Sequence, residues 1–175
     1  MGFILLLGEY VLEQACIKLC KMMKEYGTDI IMSVNISAVQ IMSPFFVRSV
    51  KRIIHKTNCN PLNLEFEVTE SVMIAASERE RVIAVLNELR NLGIRIALDD
   101  FGTGYSSLSY LQVLPIQTLK IDKAFVDNMI QERVQRLMVG SIISLVHQMD
   151  MEVVAEGVDH PSQLDFLRDF GCYYI

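Results

Sequence analysis

Apolar residues recur along this chain at two different spacings. Over residues 8–26 the positions Val11, Leu12, Ala15, Cys16, Leu19, Met22 and Met23 return every third or fourth residue, which predicts a helix that Gly27 ends. Residues 30–36 alternate instead, with Met32, Val34 and Ile36 set against Ser33, Asn35 and Ser37. Side chains alternate across a strand, so this segment is read as a strand with two unlike faces. The switch then repeats. Helices are expected over 44–56 with Ser43 as cap ahead of Pro44, and over 77–91 with Ser77 and Glu80 as a capping box. Further helices are expected over 106–111, 134–149 and from His160 to Phe170, and strands over 64–68, 94–98, 118–121, 153–155 and 172–175.

About six βα repeats follow from this reading, with no linker of low complexity between them, and they imply an α/β fold with parallel strands inside outer helices. An open doubly wound sheet and a barrel both satisfy the order, but no glycine-rich dinucleotide loop follows the first strand. Parity favours the barrel. Leu64, Phe66 and Val68 oppose Glu65 and Glu67; Ile94, Ile96 and Leu98 oppose Arg95, Ala97 and Asp99; Leu119 and Ile121 oppose Thr118, Lys120 and Asp122; Val153 and Ala155 oppose Glu152, Val154 and Glu156. Helices normally cover both faces of a parallel sheet, so a repeated polar face is best housed inside a closed barrel. Asn35, Glu67, Asp99, Lys120 and Glu156 then fall at the carboxyl ends of strands, where such barrels build active sites. Glu65 and Arg95, lower in their strands, read as an internal charge pair.

Composition adds limits. With 175 residues, 51% hydrophobic and 21% charged, the chain suits a globular domain with a substantial core. Its net charge of −5 gives no electrostatic footprint for a DNA or RNA duplex. No basic segment precedes the short apolar run at residues 3–7, so no export or membrane signal is read there, and a cytoplasmic location is expected. The cysteines Cys16, Cys20, Cys59 and Cys172 form no zinc pattern; Cys16 and Cys20, one helical turn apart, read as reduced core thiols.

The densest chemistry lies at Asp99-Asp100, followed by Phe101-Gly102-Thr103-Gly104-Tyr105-Ser106-Ser107. Two adjacent carboxylates at a strand end either cap the next helix or require a cation. Taken with Glu67, Glu156 and the amide oxygen of Asn35, they form a donor set of hard oxygens without sulfur or imidazole, which suits Mg²⁺ or Mn²⁺. The charge is enough for two such ions, an arrangement suited to in-line phosphoryl displacement. Lys120 among these acids is suited to orienting a water or stabilising phosphate charge.

Five segments carry a family resemblance: Val34-Asn35-Ile36-Ser37-Ala38, Phe66-Glu67-Val68-Thr69-Glu70-Ser71, Asp99 through Leu108, Leu119-Lys120-Ile121-Asp122 and Val154-Ala155-Glu156-Gly157-Val158. In this order they resemble the EAL-domain family, bacterial phosphodiesterases that open cyclic di-GMP to linear pGpG. The resemblance implies a TIM-like (β/α)8 barrel containing one antiparallel strand, here incomplete with about six parallel strands. It implies that Asn35, Glu67, Asp99, Asp100 and Glu156 bind two Mg²⁺ or Mn²⁺ ions, that Lys120 holds or activates the nucleophilic water, and that Asp122 is a further active-site acid. Glu70 is similar to the glutamate that steadies the loop of Phe101, Gly102, Thr103 and Gly104, which couples metal binding to homodimer formation. Asp159 stands where the family usually has glutamate, a shorter reach for outer support. A sensory or diguanylate cyclase domain is expected to accompany such a module.

The Glu-Ala-Leu sequence that names the family is absent, and a Gln-Gly pair expected after Ile175 is not reached. Residues 1–7 are accordingly expected to be a linker or non-native segment and residues 8–175 a partial domain. Weak or absent activity is expected of such a chain, since an incomplete barrel leaves open strand edges and the site lacks one carboxylate. A receptor or protein-interaction module of the same fold is the competing expectation.

Overall fold

A computed structural model describes residues 2–27, 30–73, 78–101 and 111–175. The chain forms two compact units, residues 1–96 and residues 97–175.

The first unit opens with helix α1 (Gly2–Tyr26), six residues earlier than the helical spacing indicated. Residues 2–7 join the helix although Phe3 and Leu6 lie exposed, because no residue there breaks it. Strand β1 (Met32–Asn35) leads through α2 (Ala38–Ile41) and α3 (Phe46–Thr57) to strand β2 (Leu64–Thr69). The two strands pair in parallel from Met32 opposite Leu64 to Asn35 opposite Glu67. Ser37 caps α2 in a reciprocal box with Gln40. Ser43 does not cap α3, whose N-cap is Phe45 without a side-chain bond. Leu12, Cys16 and Leu19 of α1 and Phe46, Val50 and Ile53 of α3 form buried stripes on their helices. Each fully buried aliphatic here contributes about 1.5–3 kcal/mol of burial. Above the stripe, Arg52 pairs with Glu9 and Lys56 with Glu13, each at 2.6 Å. Helix α4 (Arg79–Asn91) buries Val82, Leu86 and Leu89. Its expected capping serine, Ser77, lies outside the described residues, as does most of the expected 106–111 helix.

Strand β3 (Arg95–Phe101) begins in the first unit and continues into the second. In the second unit it pairs in parallel with β4 (Thr118–Ile121), and β4 pairs with β5 (Glu152–Ala155). Between β4 and β5 run α5 (Lys123–Asn128) and α6 (Arg133–Gln148); α7 (Pro161–Asp169) follows β5. Helix α6 buries Val139, Gly140, Ile143 and Val146. Helix α5 was not legible from spacing: six residues with one buried side chain, Val126, set no period. Its signal was a cap, Asp122 Oδ1 accepting from the Ala124 amide at 2.8 Å. At α7, His160 Nδ1 accepts from the Ser162 amide while Gln163 returns to the His160 amide.

The strand expected over 172–175 is reduced to an isolated parallel bridge of Tyr174 to Val154. Cys172 is buried but Tyr173, Tyr174 and Ile175 are exposed, so this segment offers no apolar face to fix a longer ladder. Among the described residues no helix is long and apolar enough to cross a membrane.

Candidate functional site

The acidic doublet occupies a β-bulge. Leu98 pairs with Leu119 and Phe101 with Ile121, so Asp99 and Asp100 on β3 stand opposite the single residue Lys120 on β4. Asp100 is the extra residue and takes left-handed backbone, φ 57°. Asp is among the few non-glycine types that tolerate this region, because its short side chain bonds locally. The Asp100 amide in turn donates to Asp99 Oδ1 at 3.0 Å. The bulge restores the phase of the strand: Phe101 returns to the buried side shared with Leu98, and Asp99 faces β4's lysine. The sequence reading ended this strand at Leu98; its continuation to Phe101 depends on that extra residue.

Lys120 answers both neighbouring strands. Its Nζ lies 3.4 Å from Asp99 Oδ1 on β3 and 2.5 Å from Glu156 Oε1 just after β5. Lys120 and Asp99 side chains are each 12% exposed, whereas Glu156 is 37% exposed. Glu156 is held at its strand end by its amide, which donates to the Ile121 carbonyl at 3.0 Å. Parallel pairing thus converts distant sequence positions into one ionic triad at the carboxyl ends of adjacent strands. Asp100 faces the same concentration of charge. Loss of hydration raises its pKa above the usual carboxylate value, Asp99, Asp122 and Glu156 raise it further, and Lys120 offsets part of this.

Gly157, which the motif segment contains but to which no role was given, supports this arrangement. Gly157 has φ +69°, and a Cβ added there would lie 2.4 Å from Lys123 Cγ. The Lys123 stem therefore crosses directly over the Glu156–Gly157 backbone, while its ammonium faces Asp159 at 3.7 Å and Asp127 at 3.9 Å. Asp159 thus pairs with Lys123, and its amide donates to Gln163. The signal available in the sequence was a lysine directly after the Lys120-Ile121-Asp122 segment and a glycine directly after Glu156.

In the first unit, Asn35 at the end of β1 is the register partner of Glu67, two residues before the end of β2, with Glu67 buried and Asn35 exposed. The Glu67 carbonyl accepts from the Ile36 amide at 2.9 Å. Below them, Glu65 and Arg95 form the internal charge pair the alternation implied, Arg95 Nε 3.3 Å from Glu65 Oε2. Ser33 Oγ donates to the other Glu65 oxygen at 3.1 Å, so both oxygens of this buried carboxylate are bonded. Glu70 begins the short 3-10 turn after β2. Phe101 is buried; Gly102, Thr103 and Gly104 lie outside the described residues. Among the described residues no group of three or more His, Cys, Asp and Glu side chains is arranged to hold a metal ion. The acids of the second unit converge on the Lys120 ammonium instead.

Parallel strands carrying acids and a lysine at their carboxyl ends define a TIM-barrel-like class of domain. Comparison with known proteins makes the class specific: the EAL domain model matches residues 1–175, and the chain belongs to the EAL-domain family. Signaling protein YkoW of Bacillus subtilis (strain 168) is 38% identical over 174 residues, covering 99% of this chain and 21% of YkoW. The bifunctional diguanylate cyclase/cyclic di-GMP phosphodiesterase MucR of Pseudomonas aeruginosa is 36% identical over 171 residues, covering 98% of this chain and 25% of MucR. This chain therefore spans about a fifth to a quarter of the length of these relatives. A solved MucR phosphodiesterase structure in complex with c-di-GMP matches with a TM-score of 0.90 at 35% identity, covering 98% of this chain and 68% of that one. The EAL domain of DcpA from Mycobacterium smegmatis matches with a TM-score of 0.87 at 36% identity, over 95% of this chain and 74% of that one.

Proposed function

We propose that this chain is the EAL module of a cyclic di-GMP phosphodiesterase, opening the cyclic dinucleotide to linear pGpG. The observation that carries the reading is Lys120, bracketed by Asp99 and Glu156, opposite an acid doublet that a bulge holds in place. EAL domains are metal-dependent, and the donors present here fit a hard divalent ion, being carboxylate and amide oxygens only. Asp99, Asp100 and Glu156 are assigned to metal binding in the second unit. Asn35 and Glu67 receive the same assignment in the first, from their motifs and strand-end positions. Mg²⁺ or Mn²⁺, two ions in the full set, would supply water activation and neutralisation of phosphate charge.

The chain's own residues have distinct tasks. Lys120 presents a fixed positive charge, suited to orienting the attacking water and stabilising charge that grows on the phosphate. Asp122 adds a nearby carboxylate while its Oδ1 caps α5. Lys123 and Asp159 steady the backbone that presents Glu156. Glu70 is assigned to support of the loop after Phe101, including Gly102, Thr103 and Gly104, and through it to a homodimer. MucR carries a cyclase activity beside its phosphodiesterase, which supports an accompanying sensory or cyclase domain here.

The test is chromatographic. Incubating the protein that contains this domain with cyclic di-GMP and Mn²⁺ should yield pGpG, with weak or no product from residues 1–175 alone, and Lys120→Met should suppress that product while cyclic di-GMP binding persists. Equal product from both would remove Lys120 from the mechanism. Binding without product in the unmodified protein, with either ion, would make the module a receptor.

A further inference from the structure

We propose that Cys20 and Cys59 form an oxidisable dithiol, a modification site in the first unit that closes to a disulfide when a peroxide reaches it. All four cysteines are free thiols, and three of them meet in one place. Cys16 and Cys20 lie on successive turns of α1, on the side facing α3. At the end of α3, Asn58 takes left-handed backbone and the Cys59 amide returns to the Ile54 carbonyl at 3.2 Å, which turns Cys59 back toward α1. Cys20 Sγ lies 3.7 Å from the Thr57 carbonyl and 3.8 Å from that of Asn58, the two residues before Cys59. The Cys59 thiol interacts electrostatically with both Cys16 and Cys20, and its Sγ donates to the Asn60 carbonyl at 3.8 Å.

Exposure divides the roles. Cys16 and Cys59 are buried, whereas Cys20 is half-buried and open to a small oxidant. The neighbouring Cys59 holds the Cys16 thiol below its usual pKa, while Cys16 and burial push the Cys59 thiol up. The proton that Cys59 sheds leaves with the sulfenic hydroxyl of Cys20 as water. Peroxide oxidises Cys20 to a sulfenic acid and is itself reduced, releasing one water. Cys59 sulfur then attacks the Cys20 sulfur, the S–O bond breaks, and a second water leaves as the disulfide forms. Each sulfur is oxidised by one electron, and the peroxide takes both. The bond ties α1 to the end of α3 and closes a loop of about 40 residues.

Cys172 is an internal control, buried against the carbonyls of Val153 and Tyr174 in the second unit. The folded protein is treated with a modest excess of hydrogen peroxide, quenched with N-ethylmaleimide, and mapped without reduction by peptide mass spectrometry. A Cys20–Cys59 linked peptide is expected in most molecules, with Cys172 alkylated after unfolding. The melting temperature should rise by about 5 °C and return with dithiothreitol. Cys20→Ser, at a half-exposed position, should keep the native circular dichroism and lose the linked peptide; Cys172→Ser should keep it. Over-oxidation of Cys20 without a cross-link would overturn the proposal. So would a Cys16–Cys59 link forming as fast in Cys20→Ser.

Discussion

Replacing Lys120 with methionine keeps the apolar stem and removes only the ammonium, so packing changes little while two carboxylates lose their counter-ion. Removing one partner of a fully buried ion pair costs about 3–5 kcal/mol, because the remaining charge stays buried. The Asp99 contact is close to that limit, with both side chains 12% exposed, but its 3.4 Å separation is long for a charge-assisted bond. The Glu156 contact is short but 37% exposed, so water replaces much of it, and it adds only a few tenths of a kcal/mol to about 1. The expected loss is therefore about 2–3 kcal/mol, or about 5–10 °C in melting temperature for a chain of this size. Urea unfolding with Lys120→Met, Asp99→Asn and the double variant forms a cycle that isolates the pair. The double variant should recover at least half of the Lys120→Met loss, since neither charge is then left buried alone. A Lys120→Met loss below about 0.5 kcal/mol, or a double variant no better than the single, would refute the reasoning.

Three further predictions follow from neighbouring geometry. Arg95→Met takes the guanidinium from Glu65, to which Ser33 still donates, and should cost about 1–3 kcal/mol in urea unfolding; a loss no larger than for a surface arginine would reject the buried pairing. At the bulge, Asp100→Gly should leave stability within about 1 kcal/mol of the original or slightly above it, whereas Asp100→Val should lose about 1–2 kcal/mol, because only valine is strained at φ 57°. Equal melting temperatures for the two would mean the bulge is not left-handed in solution. Gly157→Ala meets both the Lys123 stem and φ +69°, so about 2 kcal/mol should be lost; adding Lys123→Ala should restore the steric part and leave about 1 kcal/mol of backbone strain. No recovery in that double variant would show that the close approach is unimportant.

Much of this arrangement was legible because strands write their faces in alternate residues. The parity of Glu65, Glu67, Arg95, Asp99 and Lys120 separated the charge pair low in the strands from the acids at their ends, and the structure bears both out as Arg95–Glu65 and Lys120–Asp99 contacts. Parity failed at Asp100, since an inserted bulge residue has no periodic signature and shifts everything after it by one. The strand therefore seemed to end at Leu98, although Phe101 resumes the buried face. Helix α5 escaped for a different reason: its six residues are too few for a helical period, and its information sits in the Asp122 cap. The Lys123–Gly157 approach leaves no periodic signal, because it joins residues on separate elements through a single contact, and only the two motifs beside it mark the place. Cys16 is a core thiol as its spacing indicated, whereas Cys20 is only half-buried, and the left-handed turn at Asn58 brings Cys59 toward them.

The central claim is that Lys120 and its flanking acids serve metal-dependent cleavage of a cyclic dinucleotide. The most direct measurement follows conversion of cyclic di-GMP to pGpG by the protein containing this domain, in Mn²⁺, in Mg²⁺ and in excess chelator. Product should form with either ion, stop with chelator, and fall by about 10² or more in Lys120→Met while calorimetric binding of cyclic di-GMP in Ca²⁺ is retained. Tight binding with no pGpG under any ion would contradict that claim.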